Sequence, residues 1–229
     1  MAITLTSQYR CPICDHRSSH VRPAGGKSFE AVDLDLRPSA HFRGPLDQWL
    51  VECPQCAYVS NGDDHRPEHG VARWRTRHGP WITREKLINI TLAPIVADLP
   101  AVADRFMRRS RIDEELNRPW LASYHALSAA WCCDDESKGT LAVTCRLRAA
   151  GLIRSELSGS HPGGGSATLR MVLVDVLRRA GRFAEARSEA EWLFDRGTGT
   201  PVESAILRYQ VALIDHEVRG RETIAAALG

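Results

Sequence analysis

The sequence predicts an α+β chain, mostly α, with a small β module at the N-terminus and antiparallel helices behind it. Three observations carry that division. Up to about residue 60 the chain is rich in Pro and Gly, with short alternating apolar segments. From about residue 83 apolar residues recur at helical spacing with few breakers. Two Cys-x-x-Cys pairs, Cys11 with Cys14 and Cys53 with Cys56, bracket the first part. The expected boundaries are 1–80 for the β module with its linker and 81–229 for the helical domain.

In the β module, Phe29–Leu34 and Trp49–Val51 read as short strands. A first helix is expected over Thr83–Ala93, stopped near Pro94, and a second from Pro100 as an N1 proline through Ala103, Phe106 and Met107 toward Leu116. A third starts at Pro119 and turns Leu121, Tyr124, Leu127, Ala130 and Trp131 inward. A fourth starts near Lys138 and buries Leu141, Cys145, Leu147 and Leu152. Ser158–Ser166 is Gly- and Ser-rich and reads as a flexible loop. Beyond it Leu169, Val172, Leu173, Val176 and Leu177 mark one helical face. Gly181 breaks that helix, and Phe183, Ala186, Ala190 and Leu193 restart the pattern. The last helix opens on Thr200, Pro201 and Glu203, a capping box with proline at N1, and runs through Ile206, Tyr209, Leu213 and Ile214.

Composition bounds the function. The 229 residues are 43% hydrophobic and 25% charged, as in a soluble globular protein. No apolar run approaches the roughly 20 residues that cross a bilayer. Met1–Arg10 lacks the basic-then-apolar pattern of a secretory leader. The expectation is a cytoplasmic protein with no membrane role. A net charge of only +2, spread along the chain, leaves any nucleic-acid contact to a local patch.

The cysteine pairs carry the strongest chemical signal. A Cys-x-x-Cys turn presents two thiolates along one edge of a tetrahedron, so two turns complete a four-coordinate site for a soft or borderline metal. The second residue of each turn is proline, Pro12 and Pro54, which pre-sets φ on entry. Cys11, Cys14, Cys53 and Cys56 are therefore the expected ligands of a structural zinc, in a zinc ribbon. Iron or another tetrathiolate metal is the alternative occupant, and a redox Cys-x-x-Cys would instead stand alone on a βαβ unit. Four protein ligands leave no position for the water that zinc catalysis needs.

Asp33-Leu34-Asp35-Leu36-Arg37-Pro38, followed by Trp49-Leu50-Val51-Glu52-Cys53-Pro54-Gln55-Cys56-Ala57-Tyr58, resembles the bacterial domain-of-unknown-function family 2225. Members of that family pair a CPxC…CPxCGY zinc ribbon with tetratricopeptide-like helices. The resemblance covers most of the chain, is specific around the knuckles and the Asp-Leu-Asp-Leu-Arg-Pro stretch, and implies no reaction. Ala57 stands where the pattern has glycine, which bears on the turn and leaves the ligands in place. Independently, Leu177–Ala186 looks like the turn of a tetratricopeptide repeat, with small, aromatic and alanine positions that let two helices pack closely. The helices around Tyr124–Trp131 and Leu141–Ala150 read as a degenerate second copy.

No other motif makes a catalytic centre. His65-Arg66-Pro67-Glu68-His69 spells an inverted zinc-protease motif, but Pro67 and Gly70 break the helix it requires. Gly25-Gly26-Lys27-Ser28 ends like a P-loop without the first glycine or a following helix. Cys132 and Cys133 read as one buried and one partly exposed thiol, and Cys145 as core. Arg73, Trp74, Arg75, Arg77 and Trp81 combine cations with aromatics and are candidate partner-binding residues, or linker anchors. The expected function is a non-catalytic adaptor or assembly subunit with a protein partner. The alternatives are a nucleic-acid-binding regulator using the ribbon and Arg73–Trp81, and an accessory subunit completing a partner enzyme's active site.

Overall fold

The computed structural model describes residues 4–23, 32–39, 46–61, 84–92, 96–159, 166–197 and 200–229. Its β part is two small antiparallel sheets. Strands β1 (Thr4–Arg10) and β2 (Arg17–Pro23) form a hairpin in which Thr4 faces Pro23 and Arg10 faces Arg17. Strands β3 (Val51–Glu52) and β4 (Val59–Ser60) form a shorter one. Each hairpin is closed by one Cys-x-x-Cys turn.

Eight α-helices follow among the described residues: α1 (Arg84–Leu92), α2 (Ala101–Glu115), α3 (Pro119–Asp135), α4 (Gly139–Ser158), α5 (Ser166–Arg179), α6 (Phe183–Arg196), α7 (Pro201–Asp215) and α8 (Ile224–Leu228). Each of α2 to α5 packs on its successor, and α7 touches both α5 and α6. No helix among the described residues is long and apolar enough to cross a membrane.

Four helices end the same way. Asn117, Ser137, Gly181 and Glu217 all adopt left-handed φ, between 51° and 75°. The next amide in each case, from Arg118, Lys138, Arg182 and Val218, bonds back to the carbonyl five residues earlier. This is the Schellman ending, which satisfies the carbonyls a helix terminus would otherwise leave orphaned. At Gly181 the requirement is doubled, because a Cβ there would also lie 2.6 Å from the Arg219 guanidinium. At the other end of the chain, Thr200 Oγ1 accepts the Glu203 amide and Pro201 occupies N1, as the capping box predicts.

Val172, Leu173, Val176 and Leu177 of α5 and Ala186, Ala190 and Leu193 of α6 are buried together in the largest core cluster, with Leu34 from the N-terminal part. Four expectations need correction. Pro100 is the N-cap of α2, extended at ψ 143° with its carbonyl accepting the first helical bond from Asp104, and not the first helical residue. Leu121 faces outward because α3 is packed on both sides by α2 and α4 and presents alanines and serines to them, and Leu147 faces outward because Ala142, Cys145, Ala149 and Leu152 take the core face of α4. Asp33 and Leu34 form no regular strand: Asp33 makes a single bridge to Thr223, and residues 24–31 lie outside the described residues. Finally, the strand expected over Trp49–Val51 begins only at Val51 and ends at Glu52; β1 and β2 have no counterpart among the strands expected from sequence, since among their residues with described burial only Tyr9 is buried.

Candidate metal centre

The two knuckles are built alike. The Cys11 amide donates to the His16 carbonyl and the Asp15 amide to the Cys11 carbonyl, both at 2.9 Å. Cys53 with Tyr58 and Ala57 with Cys53 repeat the pattern at 2.9 Å. Each turn passes through left-handed backbone at its fifth residue, Asp15 at φ 67° and Ala57 at φ 56°. Ala57 thus sits in the conformation that favours glycine, where the family pattern has glycine. The tight turn points both thiols of a knuckle the same way, and the Ile13 amide lies 3.4 Å from Cys11 Sγ as a donor to it.

Together the knuckles place the Sγ atoms of Cys11, Cys14, Cys53 and Cys56 within 4.8 Å of one another. The cross-knuckle pairs are closest, Cys11 to Cys56 at 3.6 Å and Cys14 to Cys53 at 3.5 Å. A disulfide would need about 2.05 Å; all seven cysteines are free. A tetrahedron with metal–sulfur bonds of about 2.3 Å has edges of roughly 3.8 Å, so the cluster fits a tetrathiolate metal ion. With protons alone, the four groups compete. The bond from Cys11 holds the Cys56 thiol down at about 5 against the effect of burial, while that bond and burial push Cys11 up. Burial takes Cys53 up to about 11. A dication is what allows four neighbouring thiols to ionise together.

The centre is held against the helices on two sides. Cys11, Ile13, Cys53 and Tyr58 pack with Leu87 and Ile90 of α1 and Ile112 of α2. On α2, Arg109 donates to the Val59 carbonyl at 3.2 Å and grips Asp113 with two bonds, at 2.9 and 2.6 Å. Arg108 reaches Glu52 at 2.8 Å and the Ala57 carbonyl at 3.2 Å. His125 of α3 is buried against Phe106, with Nδ1 2.9 Å from Asp113 Oδ2. Burial pulls the His125 pKa below its usual value even though Asp113 opposes the shift. Asp113, despite burial, is held below the carboxylate range by Arg109 and His125.

The sign follows. The unfolded chain binds a proton at His125 more readily than the folded one, so this residue's contribution is complete above the usual imidazole pKa and is lost as pH falls through the folded value. Urea midpoints of metal-saturated protein should drop between pH 7.5 and 5.5, and the drop should be smaller in His125→Phe. An equal drop in the variant would assign it to other groups.

A third anchor was not read from the sequence. Residues 32–39, between the knuckles, form a strap across the far helices. Asp35 is fully buried and accepts from Trp131 Nε1 at 2.9 Å and Arg179 Nη1 at 2.5 Å. Arg37, only 2% exposed, donates to both oxygens of Asp135 at 2.6 Å. Arg179 also bonds Asp134 at 2.6 Å, and Arg146 pairs with the same carboxylate. Burial works against the Asp134 charge, yet Arg146, Arg179 and Arg37 hold its carboxyl below the usual range. At the strap's start the Leu34 amide donates to the Glu222 carbonyl, and the Ile224 amide to that of Val32, both at 3.0 Å.

Other candidate residues separate cleanly. Arg73, Trp74, Arg75, Arg77 and Trp81, with His65–His69 and Gly25–Ser28, lie outside the described residues. Cys132 and Cys133 are both buried, correcting the expectation of one exposed thiol, because this end of α3 is packed by α2 and α4. Cys145 is core and bonds Cys133, whose pKa that bond lowers, while burial raises Cys132 to about 12. Comparison with family models, with curated proteins and with solved structures finds no match.

Proposed function

We propose that the chain is a non-catalytic, zinc-binding adaptor or assembly subunit of the cytoplasm, in which a structural zinc ribbon is fused to tetratricopeptide-like helices that bind a protein partner. The observation that carries this reading is the four-thiol centre, whose ligands are all protein sulfurs and whose second turn, with its hairpin, is clamped to α2 by Arg108 and Arg109. Such a site organises surfaces and offers no position for a reacting water. The repeated turns at Asn117, Ser137 and Gly181 support the repeat-like reading of the helices, because stacked helix pairs reuse one connection. The buried carboxylates Asp35, Asp113 and Asp175 are each engaged by arginine, as structural acids are.

Tagged, metal-loaded protein purified from its native cell tests this directly. A stoichiometric co-purifying protein that survives high salt is the expected result. A chain that elutes alone from such a purification overturns the adaptor reading. The alternative, a nucleic-acid-binding regulator, rests on the ribbon and on Arg73–Trp81, a segment that lies outside the described residues. Salt-sensitive binding to DNA or RNA would favour it.

A further inference from the structure

We infer that the four-cysteine site is also an oxidation site: a peroxide converts it into two disulfides, Cys11 with Cys56 and Cys14 with Cys53, which expel the metal and keep the two hairpins joined. Two observations carry this pairing. The sulfurs in closest contact come from different knuckles, Cys11 and Cys56 at 3.6 Å and Cys14 and Cys53 at 3.5 Å. Each of these pairs also joins a sheltered thiol to an accessible one. Cys11 and Cys53 are 1% exposed, whereas Cys14 and Cys56 are half-buried. An oxidant therefore meets Cys14 and Cys56 first, and each has a buried partner across the site to resolve the oxidised sulfur.

Closure within a knuckle is the competing route, and it offers the same mixture of exposure. The turn itself stands against it. Each turn carries proline at its second position and is closed by two backbone bonds, from the Cys11 amide to His16 and the Asp15 amide to Cys11 in the first, and from Cys53 to Tyr58 and Ala57 to Cys53 in the second. Drawing the two sulfurs of one knuckle together distorts that turn. A cross-knuckle bond brings sulfurs already in contact about 1.5 Å nearer, to about 2.05 Å, and leaves both turns as they are.

The electrons balance with two peroxides per chain. At each pair, peroxide oxidises the thiolate of Cys14 or Cys56 to a sulfenic acid and is itself reduced, leaving as hydroxide. The buried thiolate of Cys53 or Cys11 then attacks that sulfur, forms the S–S bond and displaces a second hydroxide. A disulfide carries no charge, so the four sulfurs no longer hold a dication. In the cytoplasm such bonds are transient and redox-sensing, which suits a bond that a dithiol reductant reopens.

The inference goes beyond the adaptor reading and needs only the metal centre. Metal-loaded full-length protein is titrated with hydrogen peroxide while a chelator dye follows free zinc, and the products are mapped by stepwise reduction with differential alkylation. The expected result is one zinc released per two peroxides consumed, both cross-knuckle bonds in the map, and Cys132, Cys133 and Cys145 still thiols, since the helical core buries them. By amide exchange, the oxidised, zinc-free protein should keep the hairpin protection that reduced protein stripped by a chelator loses. Any other disulfide map, zinc retained under excess peroxide, or hairpin protection lost on oxidation overturns the inference. A chain that takes up no metal sinks it together with the zinc reading, whereas a wild-type chain that captures no partner sinks the adaptor alone.

Discussion

Replacing Cys11 or Cys53 with serine is expected to take the chain from one metal ion to almost none and to unfold both hairpins while most helical signal remains. The size of the effect follows from how little else holds the module. Its share of the cluster beneath the four thiols is Cys11, Ile13, Cys53 and Tyr58, two of them thiols of the site, and among the described residues only Leu46, Leu50 and Val59 add a second set of buried apolar contacts to α2–α4. Strands β3 and β4 contribute two residues each. Structural zinc binding in comparable small modules is worth about 10–16 kcal/mol, well above what such a core supplies. The helices differ, because the cluster built by α3 to α7 contains no ligand. Elemental analysis should read one zinc per wild-type chain, and circular dichroism with amide exchange should show the loss confined to residues 4–23 and 46–61. Iron would announce itself by visible absorbance. Hairpin amides still protected in the metal-free variant would show that packing alone sustains the knuckles.

The sequence was legible wherever a local rule decides the structure. Thr200 with Pro201 and Glu203 specifies a helix start, Gly181 an ending, and the α5 stripe a buried face, since each depends on neighbours within a turn or two. The metal centre was legible for the same reason, because each Cys-Pro-x-Cys turn is self-contained and the cross-knuckle partner is the only other cysteine pair of its kind. The strap was not. Asp33, Asp35 and Arg37 are charged residues alternating with leucines, a pattern that does not mark them as core, yet all three are buried. Their partners Trp131, Asp135 and Arg179 lie 96, 98 and 144 residues away, and nothing local marks a carboxylate for a buried guanidinium. Leu147 failed for the opposite reason. Its spacing is right for a core face, but Ala142, Cys145, Ala149 and Leu152 already fill the face that α4 buries.

Asp35→Ala is expected to destabilise the helical part by about 3–5 kcal/mol, a large share of any domain's stability. Removing this carboxylate leaves the Arg179 guanidinium and the Trp131 N–H buried with a donor each to satisfy, and the full desolvation cost of those groups appears in place of the bond. Among the described residues Arg179 then keeps Asp134 alone as an ion-pair partner, and that carboxylate already serves Arg146. The contrast with Arg10 and Asp15 is instructive. That pair is just as short, at 2.5 Å, but water reaches both partners, so the loss of the Asp15 carboxylate should barely move the urea midpoint. Because the strap also carries Val32 and Leu34, whose backbones pair with Ile224 and Glu222, its release should expose those amides to exchange along with α8. A double variant, Asp35→Leu with Arg179→Met, separates charge from contact. If the cost of the single change is chiefly an unpaired buried cation, replacing both partners by apolar side chains should recover much of it. Urea unfolding of wild type, Asp35→Leu, Arg179→Met and the double variant measures the coupling. Strictly additive effects, or an Asp35→Ala cost below about 1 kcal/mol, would show that the strap is held by Leu34 packing and not by its buried carboxylate.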